Sequence, residues 1–123
     1  MPHLSIRIDL PGVGSIGPGK VRLLELVGET GSIRQAGLAL RMSYARAWGL
    51  VRELNDMFGE PLVEAAAGGR AGGGATLTKR GQRVVSLYRA TEVRAHRAAL
   101  RQVSELKGLA SGKPAGRKRV RPK

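Results

Sequence analysis

Residues able to hydrogen-bond to another molecule cluster at the start of a predicted helix in the first half of the chain. Ser43, Tyr44 and Arg46 come first, and Arg52 follows within the same predicted helix. Hydroxyl and guanidinium groups at a helix start can reach base edges when the helix lies in the major groove of DNA. We therefore expect these side chains to face a major groove. A helical hairpin that only fills a small core is the alternative that the spacing alone leaves open.

Residues 31–55 have the pattern of two helices joined by a tight turn. Ser32 and Ser43 are suited to cap the two helix starts, because a serine hydroxyl accepts from the N–H groups of a first turn. Apolar residues recur three and four positions apart, as one buried face of each helix requires. They are Ile33, Ala36, Leu40, Ala47, Leu50, Val51 and Leu54. The pattern predicts a helix-turn-helix in which Ser32, Arg34 and Gln35 lie near the DNA backbone.

A glycine-rich loop separates two short predicted strands, residues 62–65 and 75–78. In a hairpin beside a helix-turn-helix, this loop would be a wing. Gly69 and Gly72 would let its backbone approach DNA closely, and Arg70 would reach a phosphate or the minor groove. A turn without a role is the alternative.

The N-terminal part of the chain predicts a strand and one more helix. Leu4, Ile6 and Ile8 alternate with polar residues, which is typical of a short half-buried strand. The glycines and prolines of residues 11–19 predict no regular structure there. Residues 20–29 have one apolar face and predict a helix that completes a three-helix core.

The last predicted helix follows Thr78, which is suited to cap it, and covers residues 79–106. Lys79 and Arg80 in its first turn oppose the helix dipole, so we expect a phosphate beside them, with a solvated basic turn as the alternative. Roughly 28 residues are too many for so small a core to cover. We predict a dimerisation face along this helix, with a helix lying on its own core as the alternative. This face consists of Val84, Leu87, Tyr88, Thr91, Ala95, Ala98, Val103 and Leu106.

The charge of the chain favours nucleic acid as a partner. There are 22 Lys and Arg against nine Asp and Glu among the 123 residues. Seven of the basic residues lie in residues 107–123, which contain no acidic residue and predict a disordered basic tail. The other 15 outnumber the nine acidic residues, so residues 1–106 are net positive on their own.

The sequence offers no catalytic, metal or membrane pattern. There is no cysteine, and neither His3 nor His96 has a second ligand at helical or hairpin spacing. No carboxylate pair lies in an apolar setting that would raise a pKa. We therefore expect no enzyme activity, no metal and no cofactor. With no membrane span and no signal peptide in view, we expect a cytoplasmic protein. Trp48, the single tryptophan, is expected in the core or at a dimer contact.

Three short motifs carry a family resemblance. They are SY-x-x-AW at residues 43–48, LVE-x-x-x-GG-x-x-GGG at residues 62–74 and LT-x-x-GQR at residues 77–83. Together they resemble the N-terminal DNA-binding domain of the ModE-type molybdate-responsive transcriptional regulators, and the wider LysR-type regulators share the weaker helix-turn-helix pattern. The resemblance implies a mainly α winged helix-turn-helix with a small β wing and a long C-terminal dimerisation helix. We assign residues 1–106 to this domain and residues 107–123 to the tail.

The same resemblance implies a homodimer that binds a palindromic operator in double-stranded DNA, associated with a bacterial nucleoid. Tyr44, Ala45 and Arg46 match the start of the family's recognition helix, and residues 69–73 match its wing. Members of the family commonly have a basic residue where Ala45 stands, so either Arg46 takes over that contact or the operator differs. Ala65 replaces an arginine that the family usually carries, which leaves a contact at the wing base in question.

Full-length members of this family continue into molybdate-binding domains. We expect this chain to lack a ligand-sensing domain and to act as a regulator without one. Two alternatives stay open: a sequence-tolerant architectural DNA-binding protein, and an adaptor that forms heterodimers with a full-length, sensor-bearing regulator.

Overall fold

The chain folds into a mainly helical domain with two small antiparallel hairpins, as the computed structural model shows for residues 4–66 and 74–111. In chain order the elements are β1 (Ile8–Leu10), β2 (Gly14–Ile16), α1 (Pro18–Thr30), α2 (Ile33–Ala39), α3 (Tyr44–Met57), β3 (Val63–Ala65), β4 (Ala75–Leu77) and α4 (Lys79–Ser111). This order confirms the predicted fold class, with a helix-turn-helix, a small β hairpin and a long last helix. No helix within the described residues is long and apolar enough to cross a membrane.

The N-terminal hairpin differs from the prediction. Strand β1 begins only at Ile8, and it pairs with β2 so that Ile8 lies opposite Ile16. We had expected a strand from Leu4 and no regular structure through the glycines and prolines. The reason is the turn: Gly12 has a φ of +78°, which suits glycine, and the Val13 N–H donates to the Leu10 carbonyl at 2.8 Å. A tight turn therefore returns the chain along β1 and creates a second strand.

Local capping defines the helix-turn-helix as predicted. Helix α1 ends at Gly31, whose φ is +72° and whose N–H donates to the Val27 carbonyl at 2.8 Å. The Ser32 hydroxyl oxygen accepts from the Gln35 N–H at 3.0 Å. The Ser43 hydroxyl oxygen accepts from the Arg46 N–H at the same distance. Each serine thus satisfies one donor of a first helical turn and fixes where its helix begins.

The three helices enclose one apolar core. Helix α1 contributes more buried residues to it than any other element, and side chains of α2, α3, α4 and the two hairpins add to it. The fully buried apolar residues include Val21, Leu23, Leu24, Val27, Ala36, Ala47, Leu54 and Leu62. Where α2 crosses α3, a Cβ added at Gly37 would lie 3.0 Å from the Ala47 Cβ, so only a very small residue fits there. Burial of each large apolar side chain contributes about 1.5–3 kcal/mol to the stability of the fold. This packing holds α3, and with it the outer surface of the helix, in place.

The second hairpin is attached to the helix-turn-helix by hydrogen bonds. The Ala75 N–H donates to the Gly31 carbonyl at 2.9 Å, and Ser32 forms an isolated bridge with Gly74. The Asn55 side chain of α3 accepts from the N–H groups of Leu62 and Val63 at 2.8 and 3.1 Å, and donates to the Val63 carbonyl at 3.1 Å. The base of the hairpin is therefore held at a defined position beside α3.

Helix α4 begins as predicted but is longer. The Thr78 hydroxyl oxygen accepts from the Gly81 N–H at 3.0 Å, which caps the start. The helix continues to Ser111, so residues 107–111, assigned to the tail from the sequence, are helical. The remainder of the predicted tail, residues 112–123, lies outside the described residues.

The predicted dimerisation face needs a correction at its beginning. Tyr88 is only 2 % exposed and its hydroxyl donates to the Ile6 carbonyl at 2.6 Å, so this side chain belongs to the core of its own domain. Val84 also packs against that core. The sequence pattern missed this because the apolar stripe of α4 runs without a break from the core to the part beyond it. Only the residues after Tyr88, together with the exposed Leu87, still present a surface to a second copy.

Candidate nucleic-acid interface

Helix α3 presents one surface that the core does not use. We define the outer face of α3 as Ala45, Trp48, Gly49, Arg52, Glu53 and Asp56, which line a shallow groove and are all exposed. Tyr44 and Arg46, at the start of the helix, are exposed beside this face. The helix buries Ala47, Val51 and Leu54 on the opposite side. The residues predicted to face a major groove are thus brought together on a helix surface that is rigidly backed by the core.

Two arginines, one on the outer face of α3 and one on the neighbouring helix α2, lie over aromatic rings. The guanidinium carbon of Arg34, on α2, lies 4.5 Å from the centroid of the Tyr44 ring. The guanidinium carbon of Arg52 lies 5.6 Å from the centroid of the Trp48 ring, one helical turn earlier on α3. Both distances are within the range of a cation–π contact. The contacts orient the planar donor groups of the two arginines before any partner binds.

The Trp48 side chain is on this surface and not in the core. Its exposure is 41 %, close to the 42 % of Tyr44. Of the two positions expected for Trp48, its exposure excludes the core, and a dimer contact stays a prediction. An aromatic residue at one edge of an amphipathic helix is equally compatible with either side of that edge. The sequence carried no signal that distinguished the two positions.

An ion pair moderates the negative charge of the outer face. The Lys20 ammonium group, on α1, lies 2.8 Å from a Glu53 carboxylate oxygen and donates to the Ser15 carbonyl at the same distance. The pair therefore offsets one carboxylate that would otherwise repel a phosphate backbone. No local sequence pattern predicts this contact, because the two residues lie 33 positions apart.

The serines retain a donor beside the helix starts. Ser32 and Ser43 each use the hydroxyl oxygen as an acceptor for capping, which leaves the O–H able to donate to a phosphate. Gln35 and Arg46 are exposed one turn into their helices. The division between residues near the DNA backbone and residues near base edges stays a prediction.

The basic residues at the start of α4 differ in how they are held. Lys79 is exposed. The Arg80 guanidinium is also exposed but donates to a Glu60 carboxylate oxygen at 2.9 Å. A phosphate beside Arg80 would have to share or displace that carboxylate, so Lys79 is the better phosphate ligand of the two. Gly69, Arg70 and Gly72 of the predicted wing lie outside the described residues.

Sequence reasoning missed Arg41, which lies in the turn between α2 and α3. This exposed arginine has a φ of +59°, the left-handed region that residues other than glycine rarely adopt. The conformation costs about 1 kcal/mol for a residue with a Cβ. An arginine in that position adds a positive charge at the junction of the two helices, where a glycine would be less strained. Only its charge and its place between two predicted helices could have drawn attention to it.

A charged cluster sets the direction of α4 relative to α1. Arg89 donates to both carboxylate oxygens of Glu25 at 2.9 and 3.0 Å, and to Glu92 at 2.6 Å. The hydrogen bonds from Arg89 hold the pKa of Glu25 below its ordinary range, despite the opposing effect of burial. Burial raises the pKa of the neighbouring Tyr88 hydroxyl. The first third of α4 is thus fixed to the domain, and the rest extends away from it.

A comparison with known protein families agrees with this fold. Residues 19–82 match the family of bacterial regulatory helix-turn-helix proteins of the lysR type, and this match covers more than half of the chain. The chain therefore belongs to the lysR family of bacterial regulatory helix-turn-helix proteins.

Individual relatives lie within the molybdenum-related branch that the motifs indicated. The chain is 43 % identical over 86 residues to the molybdenum transport protein ModE of Azotobacter vinelandii, a match that covers 70 % of this chain and 32 % of the relative. It is 42 % identical over 71 residues to the DNA-binding transcriptional dual regulator ModE of Escherichia coli K12, covering 58 % of this chain and 27 % of that one. The matched segment is thus about a third or less of the length of these relatives.

Among solved structures, the BenM DNA-binding domain in complex with benA site 1 DNA matches 77 % of this chain and 97 % of its own. The TM-score is 0.48 and the sequence identity is 21 %.

Proposed function

We propose that this chain is a sequence-specific, double-stranded DNA-binding transcriptional regulator that acts as a homodimer in the bacterial cytoplasm. The observation that carries the proposal is the outer face of α3. It is exposed, it is held rigidly by a capped helix on the core, and two arginines around it are already oriented by aromatic rings. A helix with these properties in a helix-turn-helix is suited to the major groove.

The proposed contacts divide into two classes. Ser43, Tyr44, Arg46 and Arg52 read base edges from the start and outer face of α3, because hydroxyl and guanidinium donors match major-groove acceptors. The residues proposed to contact phosphate are Ser32, Arg34, Gln35, Arg70, Lys79 and Arg80. Contacts of the first class determine which sequence is bound, and contacts of the second class raise affinity for every sequence.

The homodimer proposal rests on the part of α4 beyond the core. The helix has 33 residues, of which only Gly81 and Tyr88 are buried. The segment after Glu92 is on the order of 28 Å long at 1.5 Å per residue. A helix that projects this far is marginal alone in water, and it exposes Leu100, Leu106 and Leu109. A second copy packed along Ala95, Ala98, Val103 and Leu106 would cover this surface.

The molybdenum-related names of the relatives support a proposal about the genes under control. We infer that the operator belongs to genes of molybdenum uptake or use, since the relatives match this chain over its helix-turn-helix. Two recognition helices of a dimer would contact half-sites one helical turn apart, about 34–36 Å, or a multiple of that distance.

Selection of bound sites from a random double-stranded DNA pool, at near-physiological salt, tests the proposal. The account expects an inverted repeat to be enriched by the full chain and also by a chain that ends at Ser111. It expects Arg46→Ala to lower discrimination between the repeat and random DNA, by about 5- to 150-fold for one lost base contact. Lys79→Ala should weaken binding to both DNAs by the same factor.

Arg97→Ala provides a control with the same loss of charge, because this exposed residue lies on the side of α4 opposite Tyr88. It should leave the enriched repeat and the discrimination unchanged. An absence of enrichment, with binding that disappears when residues 112–123 are removed, would contradict the proposal and favour a sequence-tolerant architectural protein.

A further inference from the structure

Half of the aromatic residues of this chain lie on one exposed helix surface. The chain has one Trp, two Tyr and one Phe. Phe58 and Tyr88 pack in or against the core, whereas Tyr44 and Trp48 are 42 % and 41 % exposed. Aromatic side chains supply large apolar area and normally lie in a core or at an interface. Their exposure on α3 needs a reason outside the core.

For Trp48, this reason is the contact of its ring with the Arg52 side chain. The two residues are four positions apart on α3, so they lie on the same side of the helix. The Arg52 guanidinium carbon is 5.6 Å from the Trp48 ring centroid. A flexible arginine loses rotamer freedom when it binds a partner, and a ring that already limits this freedom reduces that cost. The indole ring thus restricts Arg52 before any contact is made.

We propose that Trp48 is a positioning residue for base recognition: it holds the Arg52 guanidinium so that two N–H groups donate to the N7 and O6 atoms of one guanine. This inference rests on the proposed function, since it needs α3 to lie in a major groove. The bidentate arginine–guanine contact is the commonest specific pairing there, and it requires a planar group in a fixed orientation. Trp48 itself makes no base contact in this proposal.

The neighbouring aromatic residue gives an internal comparison. Tyr44 holds Arg34 at 4.5 Å, but Arg34 lies on α2 and is proposed to contact phosphate. The Tyr44 hydroxyl is itself proposed to read a base edge, so loss of Tyr44 should lower affinity for all DNA sequences and also discrimination at its own base pair. Loss of the Trp48 ring should lower discrimination only at the base pair that Arg52 reads. Loss of a cation–π contact is thus expected to change DNA binding differently at Arg34 and at Arg52.

The test uses the full chain and the operator recovered by selection, with every base pair of one half-site replaced in turn. Arg52→Ala should abolish the preference for guanine at one position, and Arg52→Lys should lose most of it although the charge is kept. Trp48→Leu should reduce that same preference by about two- to fivefold, the range expected for an exposed cation–π contact. Trp48→Phe, which keeps a ring, should restore most of it.

A double variant separates positioning from a general structural effect. If Trp48 acts through Arg52, adding Trp48→Leu to Arg52→Ala should change discrimination no further. Thermal unfolding followed by circular dichroism should show that each variant stays folded. Tyr44→Leu removes the other exposed ring of this surface and should leave the guanine preference at the Arg52 position unchanged.

The outcomes distinguish this inference from the proposed function. If the wild-type chain selects an operator and Trp48→Leu keeps full guanine preference, the positioning role is wrong and the regulator proposal stands. If Trp48→Leu weakens binding to all sequences equally, also in the Arg52→Ala background, Trp48 contacts DNA itself and the inference is overturned. If the wild-type chain selects no sequence, the proposed function fails first.

Discussion

The substitution Gly49→Ala is expected to raise the stability of the domain and to lower its affinity for DNA. Two other helical glycines, Gly37 and Gly81, are needed for packing. A Cβ at Gly81 would lie 2.4 Å from the Leu62 carbonyl oxygen, and one at Gly37 would lie 3.0 Å from the Ala47 Cβ. A Cβ at Gly49 would meet nothing within 4 Å. Packing within the described part of the chain therefore does not require a glycine at this position of α3.

The expected gain in stability follows from helix propensity. Glycine in an exposed helix interior is about 1 kcal/mol less favourable than alanine. For a domain of this size, 1 kcal/mol corresponds to a rise in the melting temperature of about 4–8 °C. Thermal unfolding followed by circular dichroism measures this shift directly.

The expected loss in DNA binding follows from the position of Gly49 in the middle of the outer face of α3. A methyl group forced into a well-fitted contact costs about 1–3 kcal/mol, which is about 5- to 150-fold in affinity. Fluorescence anisotropy with a labelled operator at fixed salt measures this loss of affinity. The account thus predicts a variant that is more stable than the wild type and binds DNA more weakly.

Gly108→Ala is the matched control, because this glycine also lies in a helix and also has open space around it. It should leave operator affinity unchanged, with a smaller stabilisation because it lies in the last turn of α4. If Gly49→Ala raises the melting temperature and operator affinity stays at the wild-type value, the outer face of α3 does not approach DNA closely.

Further predictions concern the elements that position the interface. Asn55→Ala should lower the free energy of unfolding by about 2–3 kcal/mol in urea titrations, because it leaves buried backbone groups without a partner; a change below 0.5 kcal/mol would contradict this. The pKa of Glu25 is lowered by Arg89, so wild-type stability should fall as the pH drops below the ordinary range of a glutamate carboxyl. Glu25→Gln should be less stable at neutral pH and should lack that part of the acid dependence, and a variant with the wild-type pH profile would rule out the pair as its cause. Val103→Glu should shift the chain toward the monomer in sedimentation velocity, whereas Arg97→Glu, on the other side of α4, should not; equal effects would argue against the dimer face.

The helix-turn-helix could be predicted because its signals are local. Ser32 and Ser43 each accept from a backbone N–H three residues later, so the cap and its effect lie within one helical turn. The apolar spacing of α3 likewise depends only on its own sequence. Such contacts need no knowledge of the rest of the fold.

The parts that were missed depend on residues far apart in the sequence. Tyr88 is buried because its hydroxyl meets the Ile6 carbonyl, 82 positions away. Strand β2 forms because a glycine turn brings it back along β1, although its own residues are typical of a loop. The exposure of Trp48 depends on which edge of α3 the core covers. None of these relations is contained in a local pattern.

Methylation protection of the selected operator determines whether the outer face of α3 lies in the major groove and reads sequence. Dimethyl sulfate modifies guanine N7 in the major groove and adenine N3 in the minor groove. The account predicts that the chain protects guanine N7 at symmetric positions of both half-sites, and that Arg46→Ala or Arg52→Ala removes protection at one guanine per half-site. Protection confined to adenine N3, or a pattern that both variants leave unchanged, would contradict it.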